Sequence, residues 1–409
     1  MNKPKNIPEL RFPQFVNDGE WEEETVGQIY DFKGTNSLSR ENLNYEIGKV
    51  KNIHYGDIHT KFNTLFDVEK ENVPYINGDI PLDKIKKENY CIEGDIILAD
   101  ASEDLNDVGK SIEIVSLNNE KLVSGLHTLL VRQRESKLVI GFGGYLFKSD
   151  YVRKQIKREA QGAKVLGVSA TRISSVKIPY PKKPQEQQKI ASCLSSLDEL
   201  IAAHSQKLDI LKDHKKGLMQ NLFPQEGEKV PTYRFPEFEK DGEWEEKSFE
   251  KLFEIGNGRD YKHLHEGEVP VYGSGGYMLS VSDYLYDGES VCIGRKGTID
   301  KPMFLIGKFW TVDTLFYTHS FKDCLPKYIY YVFQNTDWLK HNEAGGVPSL
   351  SKTNIYNIKT LIPKPREQQK IASCLSSLDA VITAQTEKIE QLKMHKKGLM
   401  QGLFPKTIN

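Results

Sequence analysis

A mixed α/β protein built as two unlike halves, each closed by a long helix, is what this 409-residue sequence predicts. Three observations carry the prediction. A heptad-patterned run from Glu186 to Pro224 returns from Glu367 to Pro405 with 28 identities in 39 positions and no gap. The segment RFPQFVNDGEWEE, Arg11–Glu23, returns as RFPEFEKDGEWEE at Arg234–Glu246. Between these repeats lie two stretches that differ almost throughout, with β-type runs separated by Gly and Asp turns.

Taken in order, residues 1–20 are a lead-in segment, 21–183 a first variable domain and 184–224 a first long helix. Residues 225–243 repeat the lead-in, 244–364 form a second variable domain and 365–405 a second long helix. The variable domains have ordinary domain sizes, roughly 160 and 120 residues. Strand-like runs fall at Tyr90–Ser102, Ser124–Gln133, Ser290–Ile299 and Met303–His319. Gly162 and Gly345 are placed to end short helices, Ser149–Gly162 and Leu325–Gly345, because glycine takes the left-handed cap. A polar loop follows in each half, then a proline that forbids helix until the long one begins.

Each long helix carries an apolar seam. In the first it is Ile190, Leu194, Leu197, Ile201, Leu208, Leu211, Leu218 and Leu222; in the second Ile371, Leu375, Leu378, Ile382, Ile389, Leu392, Leu399 and Leu403. The steps alternate four and three once His204 and Lys215, or Gln385 and Lys396, fill the gaps, which is a coiled-coil seam. About 38 residues at 1.5 Å each make a rod of roughly 57 Å, longer than a small domain needs for its own core. Two surface helices of one bundle would account for the pattern. Pairing with each other also accounts for polar residues at matching places, since a buried polar position disfavours slipped registers. The order of parts is cyclic, so an antiparallel coiled coil with pseudo-twofold symmetry is expected, the first lead-in packing near the end of the second rod.

Apolar content of 38% with 28% charged residues reads as soluble and globular, and no run approaches a membrane span. The opening MNKPKNIPEL lacks the apolar core of a signal peptide, and a cytoplasmic protein is expected. Cys91, Cys193, Cys292, Cys324 and Cys374 show no zinc-type spacing and read as buried or helix-flank thiols. A net charge of −1 argues against unspecific coating of nucleic acid, so any DNA binding must come from local patches or partners.

No catalytic apparatus is visible. Gly294-Arg295-Lys296-Gly297-Thr298 lacks the length and order of a phosphate loop and reads as a turn. The glycine runs Gly141–Gly144 and Gly273–Gly276 read as loops rather than dinucleotide turns. There is no Asn/Asp-Pro-Pro-aromatic clamp for a flipped base, and Glu245-Glu246-Lys247 lies in what reads as a solvated acidic turn. His127 and His319 sit singly in apolar strands and read as core histidines. No metal ligand set is expected.

Charge stands out near the end of the first variable domain, where ten basic residues between Lys148 and Lys183 face only Asp150 and Glu159. Among them Lys148, Lys154, Lys157, Lys164 and Arg172 are candidate DNA contacts; a solvated helix face is the alternative. The second domain offers Arg295, Lys296, Lys352 and Asn354, residue types that hold phosphate or read guanine and adenine.

Two variable domains, each ended by an Ile-x-x-Ile/Val-Lys stretch and a proline, then EQQKIASCLSSLD and a helix ending KKGLMQ-LFP, resemble the specificity subunit of a type I restriction-modification system. The resemblance covers the whole chain. It implies a non-catalytic reader of double-stranded DNA whose two target-recognition domains each read half of an asymmetric, bipartite site. It further implies that the helices set the spacing as a ruler and dock two methyltransferase subunits, which bind S-adenosylmethionine and methylate adenine at N6. Restriction subunits using ATP and Mg would complete the assembly. With the seam turned inward, Gln187, Gln188, Lys215 and Lys216 and their twins Gln368, Gln369, Lys396 and Lys397 become the expected docking surface. A self-contained methyltransferase or nuclease, and a coiled-coil adaptor without DNA contact, are the competing readings.

Overall fold

Four consecutive apolar residues, Ile96-Ile97-Leu98-Ala99, need cover on both faces of a sheet, because alternate side chains point opposite ways. The computed structural model, which describes residues 6–406, makes them a fully buried central strand. The sheet is ordered Tyr30–Lys33, Thr128–Gln133, Ile96–Ala99, Ser111–Ser116, Leu65–Asp67, antiparallel except for the last pair. Ile96 and Leu98 face a core shared with the helices Phe142–Lys148 and Asp150–Glu159; Ile97 and Ala99 face another that includes Ile58 of the helix Tyr55–Thr60.

The second half repeats the plan with four antiparallel strands, Glu254–Asn257, Leu315–His319, Ser290–Gly294 and Met303–Leu305, packed on the helix Pro326–Asn335. Each half adds a small four-stranded sheet of its own, Leu122–Ser124 with Lys51–Ile53, Tyr75–Ile76 and Leu43–Asn44 in the first. All four expected β-type runs contain strands.

Both long helices form, Pro184–Leu222 and Pro365–Gly402, each starting on a proline, which the first helical position tolerates. Compact packing divides the chain into two units, Met1–His204 with Lys388–Asn409, and Ser205–Glu387. In the first unit Ile190 and Leu194 share a core with Leu403 and Phe404, and Asp198 meets Lys396. In the second Leu222 and Phe223 share a core with Ile371 and Leu375, and Lys215 meets Asp379 at 2.6 Å. The helices therefore run antiparallel, with every seam position buried or half-buried. Lysines in the polar gaps of the seam each hold an aspartate of the other helix, which penalises any slipped register.

The lead-ins do the same work in both units. Leu10 N donates to Gly402 O at 2.8 Å, and Tyr233 N to Asn221 O at 2.9 Å. Arg11 grips the buried Glu186 through two bonds of 2.7 and 2.8 Å, and the Trp21 indole adds a third at 3.3 Å. Arg234 and Trp244 hold Glu367 with the same distances to within 0.1 Å. What read as a solvated acidic turn is a strand in each unit: Glu22–Thr25 pairs with Lys177–Tyr180, and Glu245–Ser248 with Lys359–Ile362.

Three expectations need correction. The helices Asp150–Glu159 and Pro326–Asn335 end on extended residues, Ala160 and Thr336, so glycine caps neither. Gly141–Gly144 opens a helix rather than a loop: Gly141 takes φ 94° before it, and the next two glycines let it settle on Glu113, where a Cβ on Gly144 would lie 3.1 Å from the Glu113 Cβ. His127 and His319 are partly exposed at strand ends, while the adjacent Thr128 and Thr318 are the buried residues there.

Glu113 is buried in the central sheet and accepts from Gly144 N at 2.6 Å. Burial pushes its carboxyl up to about 7, against the opposing pull of the Gly144 and Gly141 N–H groups. A carboxyl that holds its proton more tightly when folded makes stability fall as pH rises from the unfolded value near 4.5 through about 7, and level above it. Glu113→Gln should remove that slope and stabilise the protein at pH 8 by up to about 3 kcal/mol, which urea unfolding across pH measures. Glu186→Ala should cost about 3–5 kcal/mol by leaving Arg11 buried and unpaired. The Arg11→Ala, Glu186→Ala double variant should lose less than the sum of the singles in the same assay.

Candidate nucleic-acid interface

Most of the basic run in the first unit is neutralised or tied down. Lys177, Lys182 and Lys183 pair with Glu23, Glu22 and Asp18 across the two-stranded ladder and its turn. Lys148 lies against the sheet, donating to Thr64 Oγ1 at 2.8 Å; burial, with Lys396 and Lys110 nearby, pushes its ammonium down to about 8. Lys157 donates to Asn106 Oδ1 at 2.7 Å. Lys154 and Lys164 are exposed. Arg172 turns inward and donates to the carbonyl of Glu159, the last residue of its helix, at 3.0 Å.

The second unit gathers three of its four candidates. Arg295, Lys296 and Lys352 line a concavity of about 810 Å³ with Asn257, Phe316 and the carboxylates Asp313 and Glu343. Arg295 and Lys296 project from the turn after the strand Ser290–Gly294, exposed and without a side-chain hydrogen bond or ion pair to the other described residues. Lys352 begins the helix Lys352–Asn357, its Nζ donating to Ile255 O at 2.6 Å and lying 6.0 Å over the Phe316 ring. Burial lowers its ammonium, and Arg295 lowers it further. Asn354 belongs elsewhere: its amide donates to the carbonyl of His341 at 2.7 Å. Arg172 and Asn354 are thus the same device, each bonding the last carbonyl of a helix that ends thirteen residues earlier, Asp150–Glu159 in the first unit and the single turn Trp338–His341 in the second.

The expected docking residues divide in two. Gln187 is buried and bonded to Val139 N, Lys137 O and Pro181 O; Gln368 likewise to Leu325 N, Asp323 O and Pro363 O. Neither is open to a partner, because each amide is buried and its bonding capacity is spent on three backbone groups. Lys215 and Lys396 are half-buried over the rings of Tyr331 and Tyr145, whose hydroxyls donate to the same Asp379 and Asp198 at 2.8 Å. Gln188, Lys216, Gln369 and Lys397 remain exposed.

Sequence reading passed over these tyrosine-aspartate-lysine triads and the Arg11 and Arg234 clasps. The signal for half of each was present, since Asp198 and Asp379 share an identical Ser-Leu-Asp context. Among the described residues no group of three or more His, Cys, Asp or Glu side chains is placed to hold a metal ion, and no helix is long and apolar enough to cross a membrane.

The sequence model of the type I restriction modification DNA specificity domain matches residues 19–213 and 241–394. A putative type I restriction enzyme MjaX specificity subunit of Methanocaldococcus jannaschii is 24% identical, the match covering 98% of this chain and 96% of that protein. The MjaVIII specificity subunit of the same organism is 23% identical over 64% of this chain and 69% of its own length. Among solved structures, the type I restriction-modification S subunit from M. genitalium superposes with a TM-score of 0.66 at 16% identity, covering 98% of this chain and all of that one. A chain from a structural study of type I complex assembly and conformational transition gives 0.55 at 13% identity, covering 95% of this chain and 98% of that one. These superpositions share the fold.

The side-chain placement makes a direct prediction. Arg172→Ala and Asn354→Ala should each cost about 1 kcal/mol of stability through a lost cap bond, read as a lowered melting temperature; unmoved melting would return either residue to the exposed surface.

Proposed function

This chain belongs to the type I restriction-modification DNA specificity family, and on that premise we propose that its two units each read one half of an asymmetric bipartite site in double-stranded DNA. One observation carries the reading: the family match falls on both halves, and both are built on the same clasps and ladder while their variable parts differ. Unlike readers on like mounts suit a site with two unlike halves. The long helices then fix the separation of the half-sites, as half-site spacing follows the geometry of the protein that spans it. Of the candidate contacts, Lys154 and Lys164 in the first unit and Arg295 and Lys296 in the second are open to DNA, with Lys352 half-buried beside them.

In this reading the chain carries no catalytic step. Two methyltransferase subunits would bring S-adenosylmethionine and the pocket for adenine N6 methylation, and restriction subunits would bring ATP and Mg, all in the cytoplasm. Their docking surface is the outward side of the long helices, where Gln188, Lys216, Gln369 and Lys397 lie exposed with Leu200 and Val381 at matching positions. Exposed apolar residues among polar ones on a helix face suit an interface that is buried only in the complex.

The test is methylation mapped at base resolution. Co-purified with its methyltransferase subunits, the chain should direct adenine methylation to a two-part asymmetric motif. Replacing residues 244–364 with those of another family member should change one half of the motif and leave the other and the spacing intact. Methyl transfer by the chain alone, at a rate tracking its concentration, would overturn the reading in favour of a self-contained enzyme; an unchanged motif after the exchange would favour an adaptor without DNA contact.

A further inference from the structure

The two units share a loop frame that their sequences conceal. In the first, Asp100 N donates to His127 O at 3.0 Å, Val168 N donates to Asp100 O at 2.8 Å, and Gln161 N donates to Gly167 O at 3.0 Å. In the second, Arg295 N donates to Thr314 O at 2.8 Å, Leu350 N to Arg295 O at 2.9 Å, and Glu343 N to Ser349 O at 3.0 Å. Ser169 and Ser351 then cap the next short helix in the same way. Bond by bond, Asp100 occupies the place of Arg295, His127 that of Thr314, Ala101 that of Lys296 and Ala170 that of Lys352.

The backbone is the same and the charge is reversed. At these positions the second unit mounts a guanidinium and two ammonium groups, around a concavity whose lining also includes Asp313 and Glu343. The first mounts a carboxylate, Asp100, whose Oδ1 lies 3.3 Å from His127 Nδ1, with about half of the His127 side chain exposed. His127 is held at φ 54°, a backbone region that non-glycine residues seldom occupy and that needs a surrounding structure to impose it. Its ring packs against Tyr55 at 5.3 Å, and Tyr55 packs against His54 and His59. The first unit has thus built an oriented acceptor where the second has built donors.

We propose that this frame is the base-reading position of both units, with Asp100, oriented by His127, accepting from an exocyclic base amine in one half-site and Arg295 donating to guanine O6 and N7 in the other. The inference rests on the DNA-reading function proposed above and names the residues that carry it. Asp100 is the decisive residue. If the cations of the second unit face DNA, the equivalent position of the first faces it too. A carboxylate there is repelled by phosphate, so only a donor on a base edge rewards it; cytosine N4 is the usual partner of an acidic side chain. Arg295, open and unpaired, has the fork that guanine requires.

The experiment uses the co-purified complex and a library of duplexes randomised one base pair at a time within each half-site. Asp100→Asn and His127→Ala should cut discrimination about tenfold or more at one base pair of one half-site and leave the other half-site unchanged. Arg295→Ala should do the same at one base pair of the other half-site, with the salt dependence of binding unaltered. Uniform weakening on all sequences with a shallower salt slope would mark Arg295 as a phosphate contact and overturn the proposal for it. Unchanged preference in folded Asp100→Asn and His127→Ala complexes would overturn it for the first unit. Asn preserves the size of Asp100, and circular dichroism verifies folding. If the unaltered complex recognises a bipartite site and these variants keep its full discrimination, only the frame assignment fails; if the unaltered complex recognises none, the proposed function itself fails.

Discussion

A carboxylate buried in the first turn of each long helix is the constraint on which the architecture depends. Glu186 and Glu367 sit where the helix dipole favours negative charge, but burial this complete needs bonded partners. The partners come from the lead-in: an arginine fork and an indole N–H reach the carboxylate from a segment more than a hundred residues away. That single requirement fixes the start of the helix, seats the tryptophan in the core and brings the ladder of Glu22–Thr25 and Lys177–Tyr180 into register behind it. The buried glutamines one residue later extend the same hold to the backbone just before the helices Phe142–Lys148 and Pro326–Asn335.

How much of this could be read from sequence depended on whether a residue's role was periodic or relational. The seam from Ile190 to Leu222 and its twin are periodic, and the antiparallel arrangement followed from the order of the repeats. Central strands such as Ile96–Ala99 were legible because a fully apolar run has few alternatives. Polar residues were not. Arg172 and Asn354 look like base readers because arginine and asparagine are the residues that read bases, and nothing in their neighbourhood says that a helix ends thirteen residues earlier and points a carbonyl at them. Gln187 and Lys215 looked like surface for the same reason. The correspondence of Asp100 with Arg295 is a relation among backbone bonds, and no residue identity betrays it.

Charge shows how composition misleads locally. A cluster of ten cations looks like a phosphate grip, yet the acidic repeat that resembled a solvated turn lies across a ladder from Lys177 and neutralises it and its neighbours. A smaller group in the second unit, Arg295 and Lys296, forms no ion pair with the other described residues, although Asp313 and Glu343 line the same concavity. The near-zero net charge is consistent with an arrangement in which few cations are kept free and most are used to hold the fold.

The packing of Leu403 and Phe404 against Trp21 and Phe142 also has a bearing on synthesis. The second unit is contiguous and can close as soon as residue 387 is made, whereas the first has its lead-in and sheet complete early but lacks part of its core until Leu403 and Phe404 emerge. At roughly 5–20 residues per second, the about 200 residues between the end of the first unit's N-terminal part and Phe404 take some 10–40 s. For that interval the first-made unit presents an open apolar face to the cell, and its final closure joins residues far apart in sequence, the kind of contact that forms late.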